Sequence, residues 1–148
     1  MQIKTATPCQ IPAIVDMAAK AYKWASGKDD FNKDVSAGNW IHLTQHGDGV
    51  VFAVFDDAGV PAGFIAGYRS RNLDTGKLTA QMWHWFVEPR ARGHGGHLLK
   101  RFETWAKVNS CEYVCIRCMT GEKSAMAAKV LERSGYKPDG LIFTKENR

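Results

Sequence analysis

No stretch of this chain approaches the roughly 20 consecutive apolar residues that a membrane-crossing helix needs. Its first residues also lack the apolar core of a signal peptide. A cytoplasmic protein with no membrane partner is therefore expected. Repeats, low-complexity tracts and linker-like runs are missing too, so the 148 residues are expected to form a single domain, 1–148. Cysteine is scarce. Of Cys9, Cys111, Cys115 and Cys118, only the last two have C-x-x-C spacing, and no second pair completes a zinc site. Those two lie in a predicted strand, Tyr113 to Met119, whose alternation turns them to opposite faces. Neither a metal nor a disulfide framework is expected. An acidic excess is absent as well: 20 Lys and Arg against 15 Asp and Glu leave a net charge of +5. That balance suits a polyanionic ligand. Nucleic acid is not the expected partner, because no basic stripe interleaves with aromatics and no nucleic-acid-binding motif occurs.

What remains is an ordinary globular composition, 45% hydrophobic, in readable patterns. Ile3 to Ala6 is a short predicted strand. Thr7, Pro8 and Gln10 then offer an N-cap, a first helical position and a capping box. Ile11, Ile14, Val15, Ala18 and Tyr22 mark the buried face of a helix expected to stop near Trp24. A second, weaker helix starts after Asp29 or Asp30 and carries Phe31 and Val35, with Gly38-Asn39 as an interruption. Strands at Val50 to Phe55, Ala62 to Arg69 and Leu78 to Val87 are joined by Gly-bearing turns, as in an antiparallel meander. A helix from about Gly95 to Asn109 comes next, with Leu98, Leu99, Phe102, Trp105 and Ala106 on one face. After the strand at Tyr113 come a helix from Ser124 to Ser134, closed by Gly135, and a last strand from Leu141 to Thr144.

The most informative stretch runs from Val87 through Pro89, Arg90, Arg92, Gly93, His94, Gly95 and Gly96 to Leu98-Leu99. A strand, a turn rich in glycine and arginine, and a helix start make an anion cradle. Glycine admits close main-chain approach, and the helix N-terminus offers unpaired N–H groups. A P-loop is excluded, since G-x-x-x-x-G-K-S/T lacks both its lysine and its hydroxyl here. A dinucleotide fingerprint fails too, with Leu98 where the third glycine belongs. The pattern Q/R-x-x-G-x-G/A is met by Arg90, Gly93 and Gly95, flanked by Val87, Pro89, Leu98 and Leu99. This resembles the acetyl-CoA-binding signature of the GNAT family of N-acetyltransferases. The layout β-α-α-β-β-β-α-β-α-β is similar to that family's over the whole chain, and sharply so from about Leu78 to Tyr136. Ser124, Ala127, Arg133, Gly135 and Tyr136 also follow a frame that such proteins carry on their fourth helix.

The resemblance implies an α/β (α+β) GNAT fold, a mixed and mostly antiparallel sheet of about six to seven strands with about four helices. It implies transfer of an acetyl group from acetyl-CoA to a primary amine of a small molecule or protein, with no metal. A catalytically weak or inactive acyl-CoA-binding regulatory module on the same fold is the alternative. Its partners would be acetyl-CoA and an amine acceptor, with a homodimer left open. By position, Trp85, Phe86 and Val87 would pair their main chain with the pantetheine arm. The amides from Arg92 through Gly93, His94 and Gly95 to Gly96 would hold the pyrophosphate, with Arg90 or Arg92 adding charge. Ser124 would contact the cofactor or cap its helix.

Two positions depart from the family. Gln81 stands where a glutamate often serves on the strand, and Leu131 where a tyrosine often protonates the leaving thiolate. His84, mid-strand and ordinarily titrating near neutrality, is the candidate replacement base. A core histidine is the competing and commoner assignment. Glu88 is the weaker alternative base. In this fold the loop between the first two helices shapes the acceptor site, which points to Trp24, Asp29, Asp30 and Phe31. Two carboxylates beside aromatics would suit a cationic amine, and either aspartate would equally serve as an N-cap.

Overall fold

A computed structural model describes residues 1–118 and 122–147, with Glu122, Lys123 and Ser124 described by their backbone. The chain divides into two compact units, Met1–Arg117 and Cys118–Arg148. The first holds strands β1 (Gln2–Thr5), β2 (Gly49–Phe55), β3 (Pro61–Arg71), β4 (Leu78–Val87) and β5 (Tyr113–Cys115). It also holds helices α1 (Ile11–Ser26), α2 (Lys33–Gln45) and α3 (Gly95–Val108). The second holds α4 (Glu122–Arg133).

The sheet order is β1-β2-β3-β4-β5, antiparallel throughout except for the parallel β4–β5 pair. Alternation sorts its side chains. Val51, Ala53, Phe55, Phe64 and Ala66 join Ile11, Ile14, Val15, Ala18 and Trp40 in one core on the α1–α2 side. The other face meets α3, whose Leu98, Leu99, Phe102 and Ala106 are buried. Every residue of β2 is buried, because both faces are covered. Gly67 is dictated by this packing: a Cβ there would lie 2.5 Å from the Gln81 carbonyl oxygen and from the Phe102 ring.

Several local expectations change. The expected interruption at Gly38-Asn39 does not occur, and α2 runs unbroken to Gln45. Its N-cap is Asn32, whose side-chain oxygen accepts the Val35 N–H at 3.0 Å, so neither Asp29 nor Asp30 caps it. Phe31 therefore precedes the helix, and Val35, which the helix does carry, is exposed. β5 stops at Cys115, short of the predicted Met119, which lies outside the described residues. The described strands number five, not six or seven, because Leu141 to Thr144 forms none and its apolar side chains are exposed. α4 closes as expected: Gly135 takes φ 91°, and the Tyr136 N–H returns to the Leu131 carbonyl at 3.0 Å.

Candidate active site

β4 leads into the glycine turn with one edge open. β5 pairs with it only across Thr79–Tyr113, Ala80–Val114 and Gln81–Cys115. From Met82 to Val87 that edge has no strand partner among the described residues, so its N–H and C=O groups face outward. Where the pairing ends, β4 also bulges. Ala66 faces His84 and Gly67 faces Met82, which leaves Trp83 as the extra residue. The bulge re-aims the side chains beyond it. Trp83 emerges half-exposed, His84 and Phe86 turn to the α1–α2 core, and Trp85 and Val87 turn toward α3.

The turn after β4 sorts its amides into two sets. A short helical turn, Pro89–Ala91, spends the Arg92 N–H on the Pro89 carbonyl at 3.3 Å and the His94 N–H on the Ala91 carbonyl at 3.1 Å. Those two amides, both expected in the cradle, thus have main-chain partners in this structure. The first α3 bond runs from the Leu98 N–H to the His94 carbonyl at 2.9 Å. The N–H groups of Gly93, Gly95 and Gly96 precede it and have no backbone partner among the described residues. Gly93 reverses the chain at φ 92°, a conformation that suits glycine.

The space around these amides fits a bound anion. Added Cβ atoms at Gly93 and Gly96 would meet no protein atom within 4 Å, so the ground above them is open. A Cβ on Gly95 would lie 3.5 Å from Val87 Cγ2 and 3.8 Å from Trp85 Nε1, which places the indole beneath the helix start. That Nε1 is buried without a hydrogen-bond partner among the described residues. Arg92 is exposed beside the cradle.

Arg90 points elsewhere. Its Nε donates to Glu88 Oε2 at 2.8 Å, one Nη to Asp56 Oδ2 at 2.7 Å and the other to the Pro61 carbonyl at 3.1 Å. The charge expected at a pyrophosphate ties the signature turn to the β2–β3 turn instead. Asp56 is held there by its own chain, accepting the Ala58 and Val60 N–H groups at 2.9 Å. The Arg90 hydrogen bond, followed by these amides, lowers the Asp56 pKa. The same ion pairs raise that of Arg90 and occupy the Glu88 carboxylate.

His84 sits within 5.9–6.3 Å, ring to ring, of Phe31, Trp40, Phe64 and Trp83. Burial among these rings pushes its pKa down from 6.5 to about 4, so it does not titrate near neutrality. Of the predicted acceptor-loop residues, Phe31 is brought against it. Tyr22, 5.6 Å from the Phe31 ring, donates its hydroxyl to Asp30 Oδ1 at 2.8 Å. Asp29 pairs with Lys23 at 3.0 Å, and Trp24 is 56% exposed. The Ser124 side chain lies outside the described residues. Sequence marks Tyr22 only as a core position of α1 and gives no site role to Trp40, Asp56 or Trp83. Five bulky side chains in a row from Met82 to Phe86, too many for plain alternation, were the available signal for the bulge.

The acetyltransferase (GNAT) family model matches residues 11–136, so the chain belongs to that family and is an N-acetyltransferase by class. No curated protein sequence matches it significantly. Among solved structures it is similar to ribosomal-protein-alanine N-acetyltransferase from Brucella melitensis biovar Abortus 2308. That likeness has 18% identity, covers 99% of this chain and 100% of that one, and has a TM-score of 0.72. AAC(6')-Iy, solved with the bisubstrate analogue CoA-S-monomethyl-acetylneamine, shares 17% identity over 99% and 98% of the chains, with a TM-score of 0.73. Glucosamine-6-phosphate N-acetyltransferase from Arabidopsis thaliana shares 12% over 98% and 97%, with a TM-score of 0.74. At these identities the likenesses concern the fold.

Proposed function

We propose that the chain, acting as one cytoplasmic domain, acetylates a primary amine by direct attack on the thioester of acetyl-CoA. One observation carries this: the unpartnered edge of β4 runs straight into the Gly93–Gly96 amides at the α3 N-terminus. An extended polar arm ending in a pyrophosphate matches both in sequence. The outward groups from Met82 to Val87 pair with the arm's amides, and the Gly93, Gly95 and Gly96 N–H groups hold the pyrophosphate with the helix dipole behind them. Arg92 adds charge, and Arg90 fixes the turn. When bound, acetyl-CoA supplies the acetyl group already activated as a thioester.

The acceptor nitrogen bonds the acetyl carbon as the carbon–sulfur bond breaks. Of the ammonium's three protons, one goes to solvent, one ends on the leaving sulfur and one stays on the amide nitrogen. Reaching the neutral amine at pH 7 costs about 4–5 kcal/mol for a pKa near 10.4. In this reading neither candidate base takes that proton. Glu88 is held by Arg90, and a charge on His84 would be desolvated among aromatic rings. Solvent at the open edge takes it, and the protein contributes orientation and fixed dipoles.

Gln81 and Leu131 favour a second reading, a domain that binds acyl-CoA without turning it over. One experiment addresses both. Calorimetry with acetyl-CoA, followed by mass-shift screening of amines, should show binding and a gain of one acetyl group. Binding without turnover selects the second reading, and absence of binding overturns both.

A further inference from the structure

The reacting edge borders an aromatic face rather than an acidic one. Trp83 lies two residues beyond the last β4–β5 pair and is 52% exposed at the bulge. Its ring is 6.4 Å from Tyr68 on one side and 6.3 Å from His84 on the other. His84 in turn reaches Phe31 at 6.1 Å, and Phe31 reaches Tyr22 at 5.6 Å. A continuous run of rings thus extends from the open edge to the α1–α2 loop. The two carboxylates at its far end already have partners, Asp29 in Lys23 and Asp30 in Tyr22.

We propose that Trp83 is the specificity-determining platform of the acceptor site, and that the acceptor is a primary amine carried on an aromatic or flat apolar body. This rests on the acetyltransferase reading above. The physical reason is complementarity. An exposed indole beside the reacting edge offers a stacking surface, and offset ring pairs gain beyond the area they bury. A polycation would need several unpaired carboxylates. Of the loop's two aspartates, Asp29 already has a counter-charge in Lys23, and the chain's net charge of +5 opposes a polycation further. Trp83 can hold the body while the amine reaches the unpaired edge of β4.

The test uses the intact protein with acetyl-CoA and four amines: phenethylamine, tryptamine, spermidine and neamine. The two arylalkylamines should have kcat/KM at least about tenfold above the two polycations. Trp83→Ala should raise their KM roughly tenfold with kcat little changed, and Trp83→Phe should restore most of the loss, as removal and return of a stacking partner predict. Circular dichroism checks that the variants are folded. Preference for spermidine or neamine, or a KM indifferent to Trp83→Ala, overturns the proposal. If acetyl-CoA binds and none of the four is acetylated, the acceptor class falls while the coenzyme site stands. If calorimetry detects no acetyl-CoA binding, the underlying reading falls instead.

Discussion

Arg90 and Asp56 stand 34 residues apart in sequence and 2.7 Å apart in space, Nη1 to Oδ2, so that the signature turn is fastened to the β2–β3 turn. The arginine that sequence pattern places at a phosphate is a strut. Its second and third bonds, to Glu88 and Pro61, use the rest of the guanidinium fork.

Arg90→Ala and Asp56→Asn should each lower the melting temperature and weaken acetyl-CoA, and the double variant should lose less than their sum. The pH dependence has a definite sign. Asp56 is held below its ordinary 3.8 by Arg90, so the folded state favours its ionised form. The stabilisation is present above pH 3.8 and disappears as pH falls through the lowered value. Acid titration of the melting temperature, with Asp56→Asn as control, checks this.

Arg92, by contrast, should act on the ligand. Arg92→Ala should weaken coenzyme A roughly tenfold or more, the scale of one charge-assisted hydrogen bond, and leave pantetheine binding nearly unchanged. Calorimetry with both ligands distinguishes this from a folding defect, which would weaken the two alike.

The glycines of the cradle should separate fold from binding. At Gly93, with φ 92°, alanine meets open space but an unfavourable backbone, and should cost roughly 1–2 kcal/mol of stability. At Gly95 the added Cβ makes ordinary contact with Val87, so stability should change by no more than about 0.5 kcal/mol. Acetyl-CoA affinity should nonetheless fall in Gly95→Val, where the branched side chain crowds the amides. Thermal melts beside calorimetry read the two effects separately.

His84 should leave its mark on stability rather than on rate. Its pKa is lowered by burial from 6.5 to about 4, so the unfolded chain binds the proton more readily. Stability from this group is therefore full above pH 6.5 and declines as pH falls from 6.5 to about 4, by up to about 3 kcal/mol. His84→Phe should flatten that slope. The kcat/KM profile of the wild type should lack an ionisation at about pH 6–7, the ordinary histidine range, and finding one that His84→Gln abolishes would restore the histidine as base.

Much of this was legible because it is local. The run from Leu78 to Val87, the turn at Gly93 and the helix from Gly95 arise from periodicity and turn chemistry within about 20 residues, and so does the signature they compose. The same holds for the buried faces of α1 and α3, where helical spacing placed Ile11, Ile14, Val15 and Ala18, and then Leu98, Leu99, Phe102 and Ala106.

Tertiary structure decided what depends on partners remote in the chain. Two arginines two residues apart look interchangeable in sequence, and only Asp56 and Pro61 show which one is already engaged. His84 reads as a neutral-range base until Phe31, Trp40 and Phe64 pack against it and take away part of the water its charge would need. Trp83 comes to the surface at the point where the register with β3 skips it. Leu141 to Phe143 has the composition of a strand, yet a strand exists only where a neighbour accepts its hydrogen bonds, and that condition is written nowhere in the segment itself.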